Sequence, residues 1–125
     1  MTFPTLVWTD AGWQPRDAGG GSTVSGFLVF RVLDSNFLIP VSNEDAAVFM
    51  RGLTADRTVT LPAGPGTGQI VVIKDEDGSL SSHNIVIAGG ANTIDGAASY
   101  VMTLVQNGNK GSVSLMFTGA GWAVV

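Results

Sequence analysis

A short apolar segment at residues 70–73 constrains the fold of this chain more than any other part of it. Its four residues, Ile-Val-Val-Ile, are all β-branched, and Asp75, Glu76, Asp77 and Gly78 follow closely. A run of this length is too short for a buried helix and is typical of a strand that is covered on both faces. The sequence therefore predicts a central strand, and it raises the question of what covers the second face of that strand.

The chain from residue 27 onward has the pattern of short strands separated by turns. Apolar or alternating runs are bounded by Gly, Pro, Asn or Asp, and no stretch has a sustained helical period. The predicted strands are residues 27–33, 37–39, 47–53, 58–61, 70–73, 83–88, 99–105, 112–117 and 122–125. Short strands at this spacing predict an all-β fold, specifically an antiparallel β-sandwich or a jelly-roll-like domain over residues 26–125.

Local signals predict two hairpins and one helical turn. The Asn107-Gly108 pair is a strong hairpin signal, and residues 118–121 (Thr-Gly-Ala-Gly) predict a second hairpin in which Phe117 faces Trp122. Residues 42–45 (Ser-Asn-Glu-Asp) resemble a capping box, which predicts a single helical turn through Ala47.

Composition excludes several classes of protein. The 125 residues suffice for one domain, and only 13% of them are charged while 45% are hydrophobic. A free monomer normally has a more highly charged surface, so we expect much of the surface to be covered in an assembly. The net charge of −4 and the scattered Lys and Arg residues argue against nucleic-acid binding, and the absence of cysteine excludes disulfides and thiolate metal sites.

Targeting and membrane signals are not apparent. The first residues lack the basic start and the apolar run of a signal peptide, and nowhere do 18 apolar residues occur together. We therefore expect synthesis in a cytoplasm and no membrane span.

No combination of residues indicates catalysis, a metal or another cofactor. His83 follows two serines, but the members of a catalytic triad meet through the fold and not through adjacency in sequence. The carboxylates of residues 75–77 could coordinate Ca²⁺, although the EF-hand spacing is missing and Asp77-Gly78 is more simply a hairpin turn. A polysaccharide hydrolase needs a carboxylate pair, and no local pattern of that kind is present among Asp45, Asp56, Asp75 and Asp95.

Residues 1–25 form a separate N-terminal arm in this interpretation. Residues 6–8 and 13–15 predict a hairpin in which Trp8 faces Trp13, and a glycine-rich joint at residues 18–22 separates it from the remainder. A tethered hairpin with bulky apolar side chains suits docking on a neighbouring protein, so Leu6, Trp8 and Trp13 are the candidate docking residues.

Residues 37–125 resemble a recurrent β-rich module of tailed-bacteriophage fibre, spike and capsid-surface proteins. The matching segments, in order, are Thr58-Val-Thr-Leu-Pro62, Gly68-Gln-Ile-Val-Val-Ile-Lys-Asp75, Asp77-Gly78, Asn84-Ile-Val-Ile87, Thr93-Ile-Asp-Gly96, Gly111-Ser-Val-Ser-Leu115 and Gly121-Trp122. The resemblance implies a homotrimeric knob without catalytic residues. The long shaft, coiled-coil heptads and collagen-like repeats of fibres are not seen here.

The resemblance and the arm together lead to an expected function. We expect a virion structural protein that binds the major capsid protein, or another virion protein, through its N-terminal arm, as a capsid decoration (cement) protein or a short head spike does. The alternative is a tail-fibre or tail-spike tip that binds a glycan or protein receptor on the host. The receptor-facing loops would then contain Asp75, Asp77, His83, Asn107, Asn109 and Lys110.

Overall fold

The computed structural model describes residues 6–9, 12–15, 27–40 and 43–125, and the first two of these ranges are described by their backbone alone. The strands are β1 Leu6–Thr9, β2 Gly12–Pro15, β3 Phe27–Leu33, β4 Phe37–Leu38, β5 Asp45–Arg51, β6 Arg57–Thr60, β7 Ile70–Asp75, β8 Ile85–Ala88, β9 Ser99–Met102, β10 Ser112–Phe117 and β11 Trp122–Val124. A 3₁₀ turn occupies Ser79–Ser81, and a single helical turn, α1, spans Leu104–Asn107. The prediction of an all-β fold is confirmed.

From β3 to β8 the chain alternates between two sheets. One sheet has the strand order β11-β10-β7-β5-β3 and the other has the order β4-β6-β8-β9. Strands β3, β5 and β7 run parallel in the first sheet, and β4, β6 and β8 run parallel in the second. Each coil of the chain therefore adds one strand to each sheet, as in a short solenoid. Strands β9, β10 and β11 then complete the sheets in antiparallel pairings.

The predicted antiparallel arrangement is wrong for β3 to β8. Alternation of apolar and polar residues has the same period in parallel and antiparallel strands, so the pattern could not distinguish them. The turn signals were also misleading. Asp77-Gly78 joins β7 to β8, which lie in different sheets, and the Asn107-Gly108 segment likewise joins β9 to β10 across the two sheets. These turns carry the chain from one sheet to the other, and neither forms a hairpin.

Two further local predictions failed. Residues 45–47 belong to β5 and not to a helical turn, because the strand pairs in register with both β3 and β7. The predicted strand at residues 99–105 ends at Met102. Helix α1 follows it, and the Thr103 hydroxyl caps this helix by accepting the backbone N–H of Gln106 at 3.1 Å.

Both predicted aromatic hairpins form, as far as the structure describes them. Strands β10 and β11 pair with Phe117 opposite Trp122, and the two ring centroids lie 5.4 Å apart in an edge-to-face geometry. In the N-terminal hairpin, Trp8 is opposite Trp13 in the backbone register, and the strands also include Thr9 and Gly12. The side chains of β1 and β2 lie outside the described residues.

The core lies between the two sheets. Val71 and Ile73 of β7 are completely buried, as are Val59 of β6 and Ile87 of β8, and all four belong to one hydrophobic cluster. The other face of β7 is different, because Ile70 and Val72 are half-buried. The predicted coverage of both faces of this strand is therefore complete on the inward face and partial on the outward face.

Candidate functional site

The loops at the two ends of the body are its most distinctive surfaces, because the strand alternation gathers alternate loops at the same end. The distal end consists of the turns at residues 34–36, 52–56, 76–84 and 103–111. The proximal end, where β3 begins, consists of the described loop residues 39–40 and 43–44 and the loops 61–69, 89–98 and 118–121. All the receptor-facing residues predicted from sequence lie at the distal end.

Aspartate side chains connect successive coils at the distal end. Asp34 in the first coil accepts the backbone N–H of Thr54 (2.9 Å) in the second, and it also forms a salt bridge with Arg57 (2.9 Å). The backbone N–H of Gly52 donates to Asp77 (2.7 Å) in the third coil. These aspartates satisfy the orphan donors that parallel strands leave where the chain changes sheet.

The same hydrogen bonds change the acidity of two of these carboxyls. The N–H and hydroxyl groups of Thr54, together with the Arg57 guanidinium, lower the pKa of Asp34 below its ordinary value. The Ser79 hydroxyl and the Gly52 N–H lower the pKa of Asp77. Both carboxylates are therefore held in their charged form by the groups that they join.

Asp75 and Asp77 organise the turn after β7. Asp75 is completely buried, and its two oxygens accept the backbone N–H groups of Gly78 (3.1 Å), Ser79 (2.9 Å) and Leu80 (3.1 Å). Asp77 accepts the Ser79 hydroxyl at 2.7 Å. A turn is present here as predicted, but it connects two sheets and is not the predicted hairpin. Within the part of the chain that the structure describes, no three His, Asp or Glu side chains form a group suited to hold a metal ion.

The remaining predicted loop residues surround this turn without forming one polar cluster. The side chain of Asn109 lies against Gly78, and the backbone carbonyl of Lys110 accepts the Lys74 ammonium. Asn107 is turned inward, because its side chain accepts the N–H of Thr103 (3.0 Å) and donates to the Tyr100 hydroxyl (3.2 Å).

His83 lies beside Asp56, with 3.8 Å between its Nδ1 and a carboxylate oxygen. That oxygen already accepts the N–H of Asn84 at 2.8 Å. The imidazole is partly exposed, and no nucleophilic side chain hydrogen-bonds to it among residues 27–40 and 43–125. The arrangement therefore lacks the nucleophile–base contact that a hydrolytic triad requires.

The four carboxylates considered for a hydrolase are divided between the two ends. Asp56 and Asp75 lie at the distal end, whereas Asp45 and Asp95 lie at the proximal end. Each accepts a backbone N–H, including that of Ile70 for Asp45 (2.8 Å). The position of each carboxylate is therefore explained by the backbone N–H group from which it accepts a hydrogen bond.

The proximal end is held together mainly by backbone hydrogen bonds. The backbone N–H of Phe117 donates to the carbonyl of Gln69 (2.9 Å), and the backbone N–H of Trp122 donates to the carbonyl of Thr93 (2.8 Å). Buried Gln69 donates to the carbonyl of Glu44 (2.7 Å). The loops that connect the two sheets at this end are therefore joined to one another.

Asp34 lies between two predicted strands, 27–33 and 37–39, but the sequence did not indicate the function of its side chain. The distal-end aspartates Asp34, Asp56 and Asp77 are separated by 22 and 21 residues, and each accepts a backbone N–H from a neighbouring coil. This spacing of acidic turn residues was the signal of a coiled, parallel topology. It differs from the two-residue period of the strands and was not recognised.

The candidate docking residues Leu6, Trp8 and Trp13 belong to β1 and β2, and their side chains lie outside the described residues. No helix within the described residues is long and apolar enough to cross a membrane. Comparison of the sequence with protein-family models and with curated proteins finds no match.

Proposed function

We propose that this chain is a non-enzymatic structural protein of a tailed-phage virion, where it decorates the capsid or forms a short head spike. In this proposal the N-terminal arm, through Leu6, Trp8 and Trp13, binds the major capsid protein or another virion protein. Three copies associate around a threefold axis, with the two sheets of each copy packed as a β-sandwich. The protein is made in the host cytoplasm and then joins the virion.

The observation that carries this proposal is an apolar patch on the outward face of the five-stranded sheet, a face that also carries Lys74, Ser112 and Ser114. Phe49, Ile70, Val72 and Met116 lie on this face and are half-buried. An outward sheet face normally carries polar residues, and an apolar patch on it is typical of an interaction surface. Coverage by neighbouring copies would also account for the low charged fraction of 13%.

Binding energy in this arrangement comes from burial. Each apolar side chain that is fully buried contributes roughly 1.5–3 kcal/mol. Three arms held on one trimer would then bind together and gain from avidity. Modest contacts by each copy would suffice for stable attachment.

Light scattering of the free protein at several concentrations tests the assembly. We expect a trimer whose mass does not change with dilution, and a soluble monomer would contradict the burial of the outward face.

Deletion of residues 1–21 tests the docking arm. We expect the shortened protein to lose occupancy on purified capsids while its body unfolds cooperatively as before. Undiminished occupancy would exclude the arm from docking.

A receptor-binding fibre or spike tip is the second candidate, and one observation favours it. The turns that contain Asp77, His83 and Asn109 come together at the distal end, where Asp77 and Asn109 are exposed. If this candidate is correct, the isolated protein competes with phage for adsorption to host cells. Absence of cell binding would disfavour it.

A further inference from the structure

Strand β3 is an edge of the five-stranded sheet, and one of its two sides is open. The strand order places β3 last, and within the described part of the chain it pairs with β5 alone. It is seven residues long and largely apolar, with the sequence Phe-Leu-Val-Phe-Arg-Val-Leu. A long apolar edge of this kind presents a row of backbone groups to which another strand can add.

The hydrogen bonds from β3 to β5 identify the backbone groups on the open side. The N–H of Asp34 donates to the carbonyl of Arg51 (2.9 Å), and Leu33 is opposite Arg51 in the parallel register. Alternate residues of a strand bond to the same neighbour, so the even-numbered residues of β3 bond to β5. The N–H and C=O groups of Val29, Arg31 and Leu33 therefore point away from β5, towards the open side.

The three other edges of the two sheets are protected, in contrast to β3. Strand β4 has two residues and is soon followed by Pro40, and β9 has four residues and is followed by α1. Strand β11 has three residues, and the loop at residues 93–95 accepts two of its N–H groups. Short strands, proline and covering loops are the usual protection of an edge. The one charged residue of β3, Arg31, is paired with Glu76 at 2.9 Å.

The N-terminal hairpin is a second element that lacks a partner strand. Strands β1 and β2 pair with each other and form a separate two-stranded sheet. A two-stranded hairpin is marginally stable in water by itself and needs a third strand or a packed face. Strand β2 ends in Pro15, which has no N–H to donate, whereas β1 contains no proline. Strand β1 is therefore the member of the hairpin that is suited to pair with another sheet.

We propose that β1 of one copy adds to the open edge of β3 in a neighbouring copy. The inference rests on the proposed function, because it requires that copies of the chain associate. The strand is assigned to a neighbour since β1 and β3 of a single chain belong to different sheets. Strand addition uses main-chain hydrogen bonds, so the side chains of the arm remain available to the virion partner.

The dimensions of the two elements agree with this pairing. Val29 and Leu33 are four residues apart, which is about 13 Å in a strand, and the four residues of β1 have about the same length. Eleven residues separate β2 from β3 and can span at most about 36–40 Å, which exceeds the roughly 30 Å diameter of a small domain. Around a threefold axis, each copy would give one strand and receive one, which closes the ring.

Amide hydrogen exchange measured by NMR on the full-length protein tests the pairing residue by residue. Val7→Pro prevents β1 from forming a strand, and Val7→Thr is the matched control, because threonine suits a strand and keeps the N–H. We expect the amides of Val29, Arg31 and Leu33 to exchange about tenfold or more faster in Val7→Pro than in the wild type and in Val7→Thr. The amides of Phe30 and Val32, which bond to β5, should be protected in all three proteins.

A mixing experiment identifies the copy that supplies the strand. Isotope-labelled Val7→Pro protein is unfolded and refolded together with an excess of unlabelled wild type, and exchange is followed in the labelled chain. We expect slow exchange to return at Val29, Arg31 and Leu33, because wild-type neighbours supply β1. Fast exchange that persists in the mixture shows that each chain must supply its own strand, and it overturns the inference.

Light scattering of the same samples separates failure of the inference from failure of the proposed function. A trimer in which the edge amides of the wild type exchange as fast as those of Val7→Pro overturns the strand addition alone. Equal protection in the wild type and in Val7→Pro also overturns it, because a different segment would then cover β3. A wild-type monomer contradicts the proposed trimer, and the inference fails with it.

Discussion

Two isoleucines on opposite faces of β7 allow a direct test of the fold. Ile73 is completely buried in the core and Ile70 is half-buried on the outward face. Ile73→Ala removes three buried carbons, worth about 0.8 kcal/mol each, and leaves a cavity in a packed interior. We expect a loss of about 3–4 kcal/mol in unfolding free energy. The space left by Ile70→Ala is open to solvent and is not a closed cavity. We therefore expect a loss of about 1 kcal/mol in the unfolding free energy of the monomer.

Urea and thermal unfolding measure both values. For a chain of 125 residues, 1 kcal/mol shifts Tm by about 4 °C, so the two variants should differ by roughly 8–12 °C. The measurements should be repeated at two protein concentrations far apart, because a neighbour that covers Ile70 would make the effect of its substitution depend on concentration. Equal losses in both variants, independent of concentration, would refute the assignment of the two faces.

Two further predictions concern the distal end. Asp34 has a lowered pKa, so its stabilising contribution is fully present above its unfolded value of about 3.9 and is lost as pH falls through the folded pKa. We therefore expect Asp34→Asn to lower Tm at neutral pH and to reduce the acid-induced decrease in Tm below about pH 4, and an unchanged acid profile would contradict this. Asp75→Asn places an amide group where a carboxylate accepts the N–H groups of residues 78–80, and we expect a loss of about 1–3 kcal/mol in urea unfolding. Asp75→Asn with wild-type stability would show that these hydrogen bonds contribute little.

The sequence predicted individual strands well because their information is local. Residues 70–73 and 112–117 form strands where the apolar pattern indicated them, and Phe117 faces Trp122 across the predicted turn. In each case, short-range alternation and turn chemistry suffice to define the element. Which pair of residues within 70–73 faces inward could not be predicted, because all four are apolar.

The connections between strands were not predictable in the same way. Asn107-Gly108 is a hairpin signal in isolation, but here Gly108, with φ of +84°, ends α1, and the chain crosses to the other sheet. The residues around Asp45 resembled a helix cap, yet parallel pairing with β3 and β7 keeps this segment extended. Tertiary pairing decided these segments against their local signals.

The candidate surfaces were predictable in part. Asp77, His83, Asn109 and Lys110 fall in distal turns, as expected of residues in loops, and Asp75 is the last residue of β7. Their gathering at one end could not be inferred, because it depends on the chain changing sheet at every turn. The different hydrogen bonding at the two ends likewise appears only once the coils are stacked.

The carboxylates at the two ends of the body have different roles in the fold. At the distal end, Asp34, Asp75 and Asp77 accept the N–H groups that remain unpaired where the chain changes sheet. At the proximal end, most of these groups pair with backbone carbonyls of adjoining loops, so carboxylates are hardly needed for folding. The presence of these distal carboxylates is thus explained by their hydrogen bonds within the fold. The charge of Glu44, whose side chain has no partner in the described body, is not explained in that way, and the charge of Asp95 is not required for its single long contact with the Val124 N–H. Substitution of Glu44 or Asp95 should therefore disturb the fold less than substitution of Asp34, Asp75 or Asp77, whose side chains accept backbone N–H groups where the chain changes sheet.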